Sequence, residues 1–235
     1  MTGRIISVSA APYDGHPVEV MLENLARLDV SHVEPAFIVG YTEPFDETAF
    51  IPARMREWRR ALSNAGLSCH AMSSHIDLGL EDSVEVFTGR MAFAAAIGAK
   101  IVCTNASARE REGAFYRNME KLVRRAEAFD IVIALENPGD GSDNLINTAT
   151  DGVRLCTRFN NEHVGLNYDA GNTASHRPDL VDLAADAVLA LPMSVHAHIK
   201  DVRRTESGWT FTSIGDGEVG CAAIVSAIRN TRCCR

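Results

Sequence analysis

The chain has 235 residues, of which 46% are hydrophobic and 23% charged, a composition typical of a globular protein with a sizeable core. Its formal net charge of −8 argues against a nucleic-acid partner, because nucleic-acid binding relies on a basic surface. No apolar run approaches the length of a membrane span and the first residues lack the apolar core of a signal peptide, so we expect no membrane partner and no secretion.

Seven short apolar segments alternate along the chain with longer segments of helical periodicity. The predicted strands cover residues 4–10, 32–37, 67–73, 100–106, 131–137, 164–170 and 194–201. The predicted helices include residues 18–28, 53–67, 120–130, 179–191 and a last one from residue 221, and Gly66 is well placed to end the second of them. Since the strands recur roughly every 30 residues, the length of a βα unit, the pattern predicts a parallel sheet of about seven βα units.

The alternation within the strands distinguishes an open doubly wound sheet from a closed barrel. In segment 131–137 one face is apolar, while the opposite face becomes polar at the carboxyl end, and segments 164–170 and 194–201 repeat this pattern. A central strand of an open sheet is apolar on both faces because helices cover both. A barrel strand instead has a lumen on one side and functional groups at its carboxyl end. We therefore expect an α/β fold of the (βα)8 TIM-barrel type, in one domain over residues 1–235.

Three successive predicted strands carry Glu136, Asp169 and His198 near their carboxyl ends. A buried carboxylate without a partner is costly, so Glu136 at the end of an apolar strand requires compensation. Taken singly, such a glutamate is usually paired in a salt bridge or a cap, and such a histidine is an ordinary core residue. Their repetition in consecutive units favours a shared divalent metal ion, with Mn²⁺, Mg²⁺, Co²⁺ or Zn²⁺ as candidates.

Four segments, LENPGDG, VGLNYDAGN, HAHIKD and IGDGEVG, together resemble the xylose isomerase-like TIM-barrel superfamily. The resemblance extends from the first predicted strand to near the end of the chain. That superfamily includes sugar isomerases and epimerases, inosose dehydratases, hydroxypyruvate isomerase and endonuclease IV. The order of LEN, DAGN and HIKD is typical of the superfamily as a whole and does not distinguish its substrates.

The resemblance implies roles for individual residues. Members similar to the ketose 3-epimerases bind a divalent metal through Glu, Asp, His and a final Glu, and the first three match Glu136, Asp169 and His198. Glu136 would also act as a catalytic base. The candidate substrate-binding residues at the same rim are His75, Asn105, Asn137, Asn172 and Lys200. Asn137 has an alternative role, because Asn-Pro-Gly is chiefly a strand-ending turn.

The chain departs from this family pattern after the seventh unit. The family's final Glu lies on an eighth strand, whereas only about seven strands are predicted here. We therefore expect a barrel that lacks the last βα unit, the fourth ligand and one acid/base carboxylate, and hence weak or absent epimerase activity. The alternative is that a second subunit fills the gap, and a homo-oligomer is possible on the same resemblance.

The resulting functional hypotheses differ in chemistry. The first is a metal-dependent isomerase or epimerase that converts a small open-chain sugar or sugar acid through an enediolate. The second is an inosose or sugar-acid dehydratase on the same barrel. The third is an endonuclease IV-like hydrolase. The net negative charge of the chain disfavours it, and so does Asn172, which stands where the metal cluster of such a nuclease would need a histidine. The fourth is an inactive, metal-free fragment.

Other motifs have simpler explanations. The six cysteines are scattered without a C-x-x-C pair, which predicts reduced, mostly buried thiols and a cytoplasmic protein; they are Cys69, Cys103, Cys156, Cys221, Cys233 and Cys234. Residues 215–220 match G-x-G-x-x-G, but no βαβ unit follows, so we expect only a turn before the last helix. Glu34 faces the lumen if its strand alternates regularly and would pair inside the barrel or touch substrate, while His196 would be a hydrogen-bonded core residue.

Overall fold

A computed structural model describes residues 4–40, 42–206 and 208–231. The strands are β1 (Ser7–Ser9), β2 (His32–Glu34), β3 (Ala36–Ile38), β4 (Ser68–Cys69), β5 (Ala71–His75), β6 (Ile101–Asn105), β7 (Val132–Glu136), β8 (Val164–Asn167), β9 (Ser194–His196), β10 (Asp201–Thr205) and β11 (Gly208–Thr212). The helices of more than one turn are α1 (Val18–Arg27), α2 (Pro52–Ala65), α3 (Ser83–Ile97), α4 (Glu112–Phe129), α5 (Ala149–Phe159), α6 (Ala170–His176), α7 (Leu183–Ala190) and α8 (Cys221–Asn230).

The strands from β1 to β9 form a parallel barrel wall in chain order. β2 and β3 are two halves of one barrel strand interrupted at Pro35, which has no N–H to donate, and β4 and β5 are likewise separated only by His70. Parallel ladders then join β5 to β6, β6 to β7, β7 to β8 and β8 to β9. The described residues thus contain seven barrel strands with helices outside them, and the predicted α/β barrel class is confirmed.

The segment after β9 differs from the prediction. The sequence pattern predicts one strand over residues 194–201, but β9 ends at His196, and Asp201 begins an antiparallel hairpin of β10 and β11. The Asp201 carboxylate accepts hydrogen bonds from the backbone N–H groups of Gly215, Gly217 and Val219. A Cβ on Gly217 would lie only 2.1 Å from Asp201 Oδ1, so this close approach requires glycine. The glycine motif therefore forms the predicted turn before α8.

The helix boundaries follow local signals only in part. Gly66 ends α2 in the left-handed conformation (φ 68°), as predicted, because glycine has no Cβ to clash there. α4 begins well before the predicted residue 120, and α7 is shorter than predicted. α3 was not singled out from the sequence because apolar residues occur around its whole circumference, and both Phe87 and Phe93 are fully buried.

Two apolar clusters fill the interior on either side of the barrel wall. The outward faces of the strands, with Ile133 and Leu135 as examples, join the helices in the main core. The lumen contains a second, smaller cluster made of Ala71, Ile101, Cys103 and Ala134. Three of these four side chains, those of Ala71, Cys103 and Ala134, are small, and polar groups occupy the lumen at the carboxyl ends of the strands.

Four of the cysteines, Cys69, Cys103, Cys156 and Cys221, are buried free thiols, while Cys233 and Cys234 lie outside the described residues. Burial raises the pKa of the Cys103 and Cys156 thiols to about 12, which keeps both neutral. None of the helices in the described part of the chain has the length and hydrophobicity needed to cross a bilayer.

His176, the last residue of α6, makes the fold sensitive to pH. Its Nδ1 accepts the N–H of Gly141 (3.1 Å) and its Nε2 lies 2.8 Å from Asn147 Oδ1, a pattern that suits the neutral ring. Burial lowers the pKa of His176, although Asp140 opposes the shift. Below the unfolded-state pKa of about 6.5, the unfolded chain therefore takes up a proton that the folded chain does not.

We therefore predict that the contribution of His176 to the free energy of unfolding falls as the pH drops from about 8 to about 5.5, with a slope of at most about 1.4 kcal/mol per pH unit, and that it is seen as the difference between wild type and a variant without this imidazole. The His176→Gln variant should lose this component, whereas His16→Gln, at an exposed site, should behave as wild type. Urea unfolding across this pH range measures the difference. Parallel stability curves for wild type and His176→Gln would contradict the prediction.

Candidate metal centre

The three predicted ligands converge at the carboxyl end of the barrel. Glu136 is the last residue of β7, Asp169 lies two residues after β8, and His198 lies two residues after β9. One potential ligand atom from each lies within 4.8 Å of the other two. Both carboxylates are buried, with relative exposures of 2% for Glu136 and 1% for Asp169. Parallel strands produce this convergence because their carboxyl ends meet at one rim.

The Glu136 carboxylate is surrounded by hydrogen-bond donors. Oε2 accepts from Asn167 Nδ2 (2.7 Å) and Oε1 from Asn172 Nδ2 (2.9 Å). His75 Nε2 and His198 Nδ1 lie 3.3 and 3.2 Å from Oε2. Burial raises the pKa of Glu136, but the imidazoles of His198 and His75 outweigh it and hold the pKa well below the usual range. Glu136 is therefore ionised at neutral pH, as a base or a metal ligand must be.

Asp169 links the barrel rim to the helix that follows. Its Oδ1 accepts the N–H of Asn172 (3.0 Å) and caps the N-terminus of α6, whose partial positive charge favours a carboxylate. Its Oδ2 lies 3.1 Å from Lys200 Nζ and 3.9 Å from His198 Nδ1. Lys200 also donates to Asn172 Oδ1 (2.5 Å), which fixes the ammonium beside the carboxylate.

His198 lies between two carboxylates. Its Nδ1 faces Glu136, while its Nε2 is 2.8 Å from Glu34 Oε1. Burial lowers the pKa of His198, but the charges of Glu136 and Glu34 outweigh this effect and raise the pKa well above its usual value. In the absence of a metal ion, a proton on Nδ1 therefore compensates Glu136 where a cation would otherwise do so.

The sequence leaves two possibilities for Glu34, pairing inside the barrel or contact with substrate. In the structure, Glu34 pairs inside the barrel. It is buried, and it accepts from Ser73 Oγ (2.7 Å) and lies 2.8 Å from both His196 Nε2 and His198 Nε2. These imidazoles outweigh the effect of burial and keep the pKa of Glu34 well below its usual range. Glu34, Cys103, His196 and His198 could also hold a cation by distance. Glu34 needs none, however, because each of its oxygens already has an imidazole partner.

The predicted substrate residues differ in where they lie relative to the carboxylates of Glu136 and Asp169. His75, Asn172 and Lys200 surround the two buried carboxylates. Asn105 ends β6 in register with Glu136 on the neighbouring strand. Asn137 is fully buried instead.

The amide of Asn137 is committed to the backbone around Asp169. Its Nδ2 donates to Asp169 O (2.9 Å) and Thr173 Oγ1 (3.1 Å), and its Oδ1 accepts the N–H of Asp169 (2.9 Å). These contacts favour the loop-shaping role for Asn137 over the substrate-binding one. Asn137 thereby holds Asp169 at the rim.

Asn167 belongs to the site but received no role from the sequence. Besides Glu136, its Nδ2 lies 3.0 Å from His198 Nδ1. The signal for it was its position on the same strand face as Asp169, two residues earlier. Among the described residues, Asn167 Oδ1 is buried without a hydrogen-bond partner, and His75 Nε2 makes no well-directed hydrogen bond although Glu136 Oε2 lies 3.3 Å away. Because buried polar atoms normally have partners, these two point to a polar ligand at this rim.

The residues present fit a divalent metal ion. Two carboxylates and one imidazole form a donor set that Mn²⁺, Mg²⁺, Co²⁺ and Zn²⁺ all accept. Glu136, Asp169 and His198 would hold the ion, and the unpartnered atoms of Asn167 and His75 lie at the same end of the barrel.

Comparison with known proteins identifies related folds. A family described as xylose isomerase-like TIM barrel matches residues 20–233, and no curated protein matches the chain in sequence. A xylose isomerase-like TIM-barrel protein from Mycobacterium smegmatis, in complex with magnesium, is 20% identical with a TM-score of 0.74, over 96% of this chain and 86% of that one. D-allulose 3-epimerase from Methylomonas sp., in complex with D-allulose, is 16% identical with a TM-score of 0.72, over 97% and 81%. Mannonate dehydratase from Streptococcus suis is 16% identical with a TM-score of 0.72, over 98% and 81%.

The Asp169→Asn variant tests the metal centre with little change to the fold. Asparagine keeps a side-chain oxygen that can cap α6 but has no negative charge, so Mn²⁺ binding should weaken by roughly tenfold or more. Calorimetric titration of the metal-free protein with Mn²⁺ measures this loss. The matched control is Asp182→Asn, the same change at the exposed N-cap of α7, which should bind Mn²⁺ as wild type does. Equal Mn²⁺ affinity of the two variants would contradict the assignment of Asp169.

Proposed function

The chain belongs to the xylose isomerase-like TIM-barrel family, and from that membership we propose that it is a metal-dependent isomerase or epimerase of open-chain sugars or sugar acids. The observation that carries the proposal is the convergence of Glu136, Asp169 and His198 within 4.8 Å at the carboxyl end of the barrel. His75 and Lys200 lie at the same end, and their N–H groups could donate hydrogen bonds to sugar hydroxyl oxygens.

A divalent ion held by these three residues would supply positive charge near the adjacent oxygens of the sugar, where negative charge develops when the α-proton leaves. Glu136 would remove that proton, because its carboxylate is ionised and lies at the rim.

Three neighbouring side chains would orient the substrate. The imidazole of His75 has a buried nitrogen without a hydrogen-bond partner among the described residues and would contact a sugar hydroxyl. Lys200 would provide an ammonium next to Asp169 and stabilise negative charge on a substrate oxygen or carboxylate. Asn172 would hold Glu136 and Lys200 in their relative positions, since it hydrogen-bonds to both.

A dehydratase on the same site is the second candidate. Elimination of water needs an acid near the leaving hydroxyl, and the Lys200 ammonium next to Asp169 is suited to that role. The similarity to mannonate dehydratase of Streptococcus suis concerns the fold and leaves this alternative open. Mass spectrometry of the products separates the two, because elimination removes the mass of one water and isomerisation leaves the mass unchanged.

Hydrogen exchange at the sugar α-carbon tests the role of Glu136. Exchange needs only one base and does not require complete epimerisation, so wild type with Mn²⁺ in deuterated water should incorporate deuterium into at least one member of a panel of ketoses and sugar acids that includes D-allulose. Glu136→Gln should exchange about 10²- to 10⁴-fold more slowly, which is the usual contribution of a general base. The isotope content of the recovered sugar, measured by mass spectrometry, gives the rate.

The control is Glu120→Gln, which removes one exposed carboxylate from α4 and should exchange at the wild-type rate. Exchange by wild type and Glu136→Gln at equal rates would remove Glu136 from the mechanism. No exchange by wild type on any member of the panel would contradict the proposed isomerase function.

A further inference from the structure

The Nε2 edge of the His198 ring points away from the candidate metal centre. Nδ1 faces Glu136 and Asp169, whereas Nε2 lies 2.8 Å from Oε1 of Glu34 across the lumen. An imidazole that binds a metal ion through Nδ1 must carry its proton on Nε2. A carboxylate beside Nε2 favours that tautomer and fixes the plane of the ring.

Resting on the proposed metal-dependent function, we propose that Glu34 is a positioning residue that holds His198 ready to bind the ion through Nδ1. Glu34 itself touches neither the ion nor the sugar in this assignment. It acts by accepting the Nε2–H of His198, so that the lone pair of Nδ1 is directed at Glu136 and Asp169.

Glu34 is itself fixed firmly enough to position another group. It is 3% exposed, and Ser73 Oγ donates to the same oxygen that faces His198. Its other oxygen lies 2.8 Å from His196 Nε2. On the far side of the ring, Asn167 Nδ2 lies 3.0 Å from His198 Nδ1. The ring is therefore held at both nitrogens.

A different use of the same residues is that Glu34, Cys103, His196 and His198 bind an ion of their own. The contacts disfavour it, because both oxygens of Glu34 lie at hydrogen-bond distance from imidazole nitrogens. The two possibilities predict different effects of Cys103→Ser: no loss of metal binding if Glu34 only positions His198, and loss of a second bound ion if the four residues are ligands.

Zn²⁺ binding to metal-free protein, measured by competition with a chromophoric chelator, tests the proposal. Glu34→Leu removes the acceptor and should weaken Zn²⁺ binding about 10- to 100-fold, the usual effect of losing such a partner of a metal-binding histidine. Glu34→Gln keeps one accepting oxygen and should lie between Glu34→Leu and wild type. The matched control is His196→Gln, which removes the other imidazole partner of Glu34 but leaves the Glu34–His198 contact, and it should bind Zn²⁺ within about threefold of wild type.

A second readout separates positioning from a general contribution to stability. In the ¹⁵N-labelled, Zn²⁺-loaded wild type, the imidazole signals of His198 should show a metal-bound Nδ1 and a slowly exchanging proton on Nε2. That proton should exchange rapidly in Glu34→Leu. If Glu34 only stabilised the fold, Glu34→Leu and His196→Gln would lower Zn²⁺ affinity together, in proportion to their loss of thermal stability, and this result would overturn the proposal.

The remaining outcomes distinguish this proposal from the proposed function. Wild-type Zn²⁺ affinity in folded Glu34→Leu, or a second ion lost in Cys103→Ser, would overturn the role of Glu34 and leave the isomerase function standing. Zn²⁺ binding with the predicted effects but no α-proton exchange by wild type would overturn the isomerase function alone. Absence of Zn²⁺ binding by wild type would overturn both.

Discussion

Two buried carboxylates, Glu34 and Glu136, lie on opposite sides of the His198 imidazole, and the architecture of the site follows from this arrangement. An ionised carboxylate without partners is too costly to bury, so every oxygen of both groups must have a donor. The donors come from distant parts of the chain: Ser73, His196 and His198 for Glu34, and the amides of Asn167 and Asn172 for Glu136.

The same arrangement requires the sheet to curve. Glu34 and His196 are 162 residues apart and belong to the second and seventh barrel strands. In a flat sheet, five strand spacings of about 4.8 Å would separate them by about 24 Å. A 2.8 Å contact between them is possible only when the wall bends round a lumen. Polar contacts across the lumen thus stabilise the barrel and assemble the site at the same time, which ties the fold to its chemistry.

The sequence predicts the repeating parts of this molecule well because they depend on local patterns. Alternation placed Glu136 on the lumen face, and the βα spacing put Asp169 one unit further on at the same rim. His198 lies near Glu136 and Asp169 although its strand is shorter than predicted. The residues after His196 leave the ladder and continue into a hairpin. No periodic signal marks that hairpin, whose first residue, Asp201, holds the turn before α8 through contacts with distant glycines.

The remaining features depend on contacts between distant residues. Glu34 pairs with two histidines only because the barrel wall is closed. The alternation within its own strand predicts only that Glu34 faces the lumen. Asn167 and Asn137 are both asparagines at strand ends, yet one contacts Glu136 and the other holds the backbone of Asp169. The neighbouring strand decides which of these roles an asparagine takes. The sequence pattern does not give the exact register between the two strands.

Anomalous diffraction from crystals soaked in Mn²⁺ gives the most direct test of the metal centre and of the part that His198 plays in it. If Glu136, Asp169 and His198 hold the ion, one anomalous peak is expected at about 2.0 to 2.3 Å from a carboxylate oxygen of Glu136, a carboxylate oxygen of Asp169 and Nδ1 of His198, with Nε2 still facing Glu34. A peak bound by Nε2 of His198 together with Glu34, or no peak within reach of Glu136 and Asp169, would contradict this assignment.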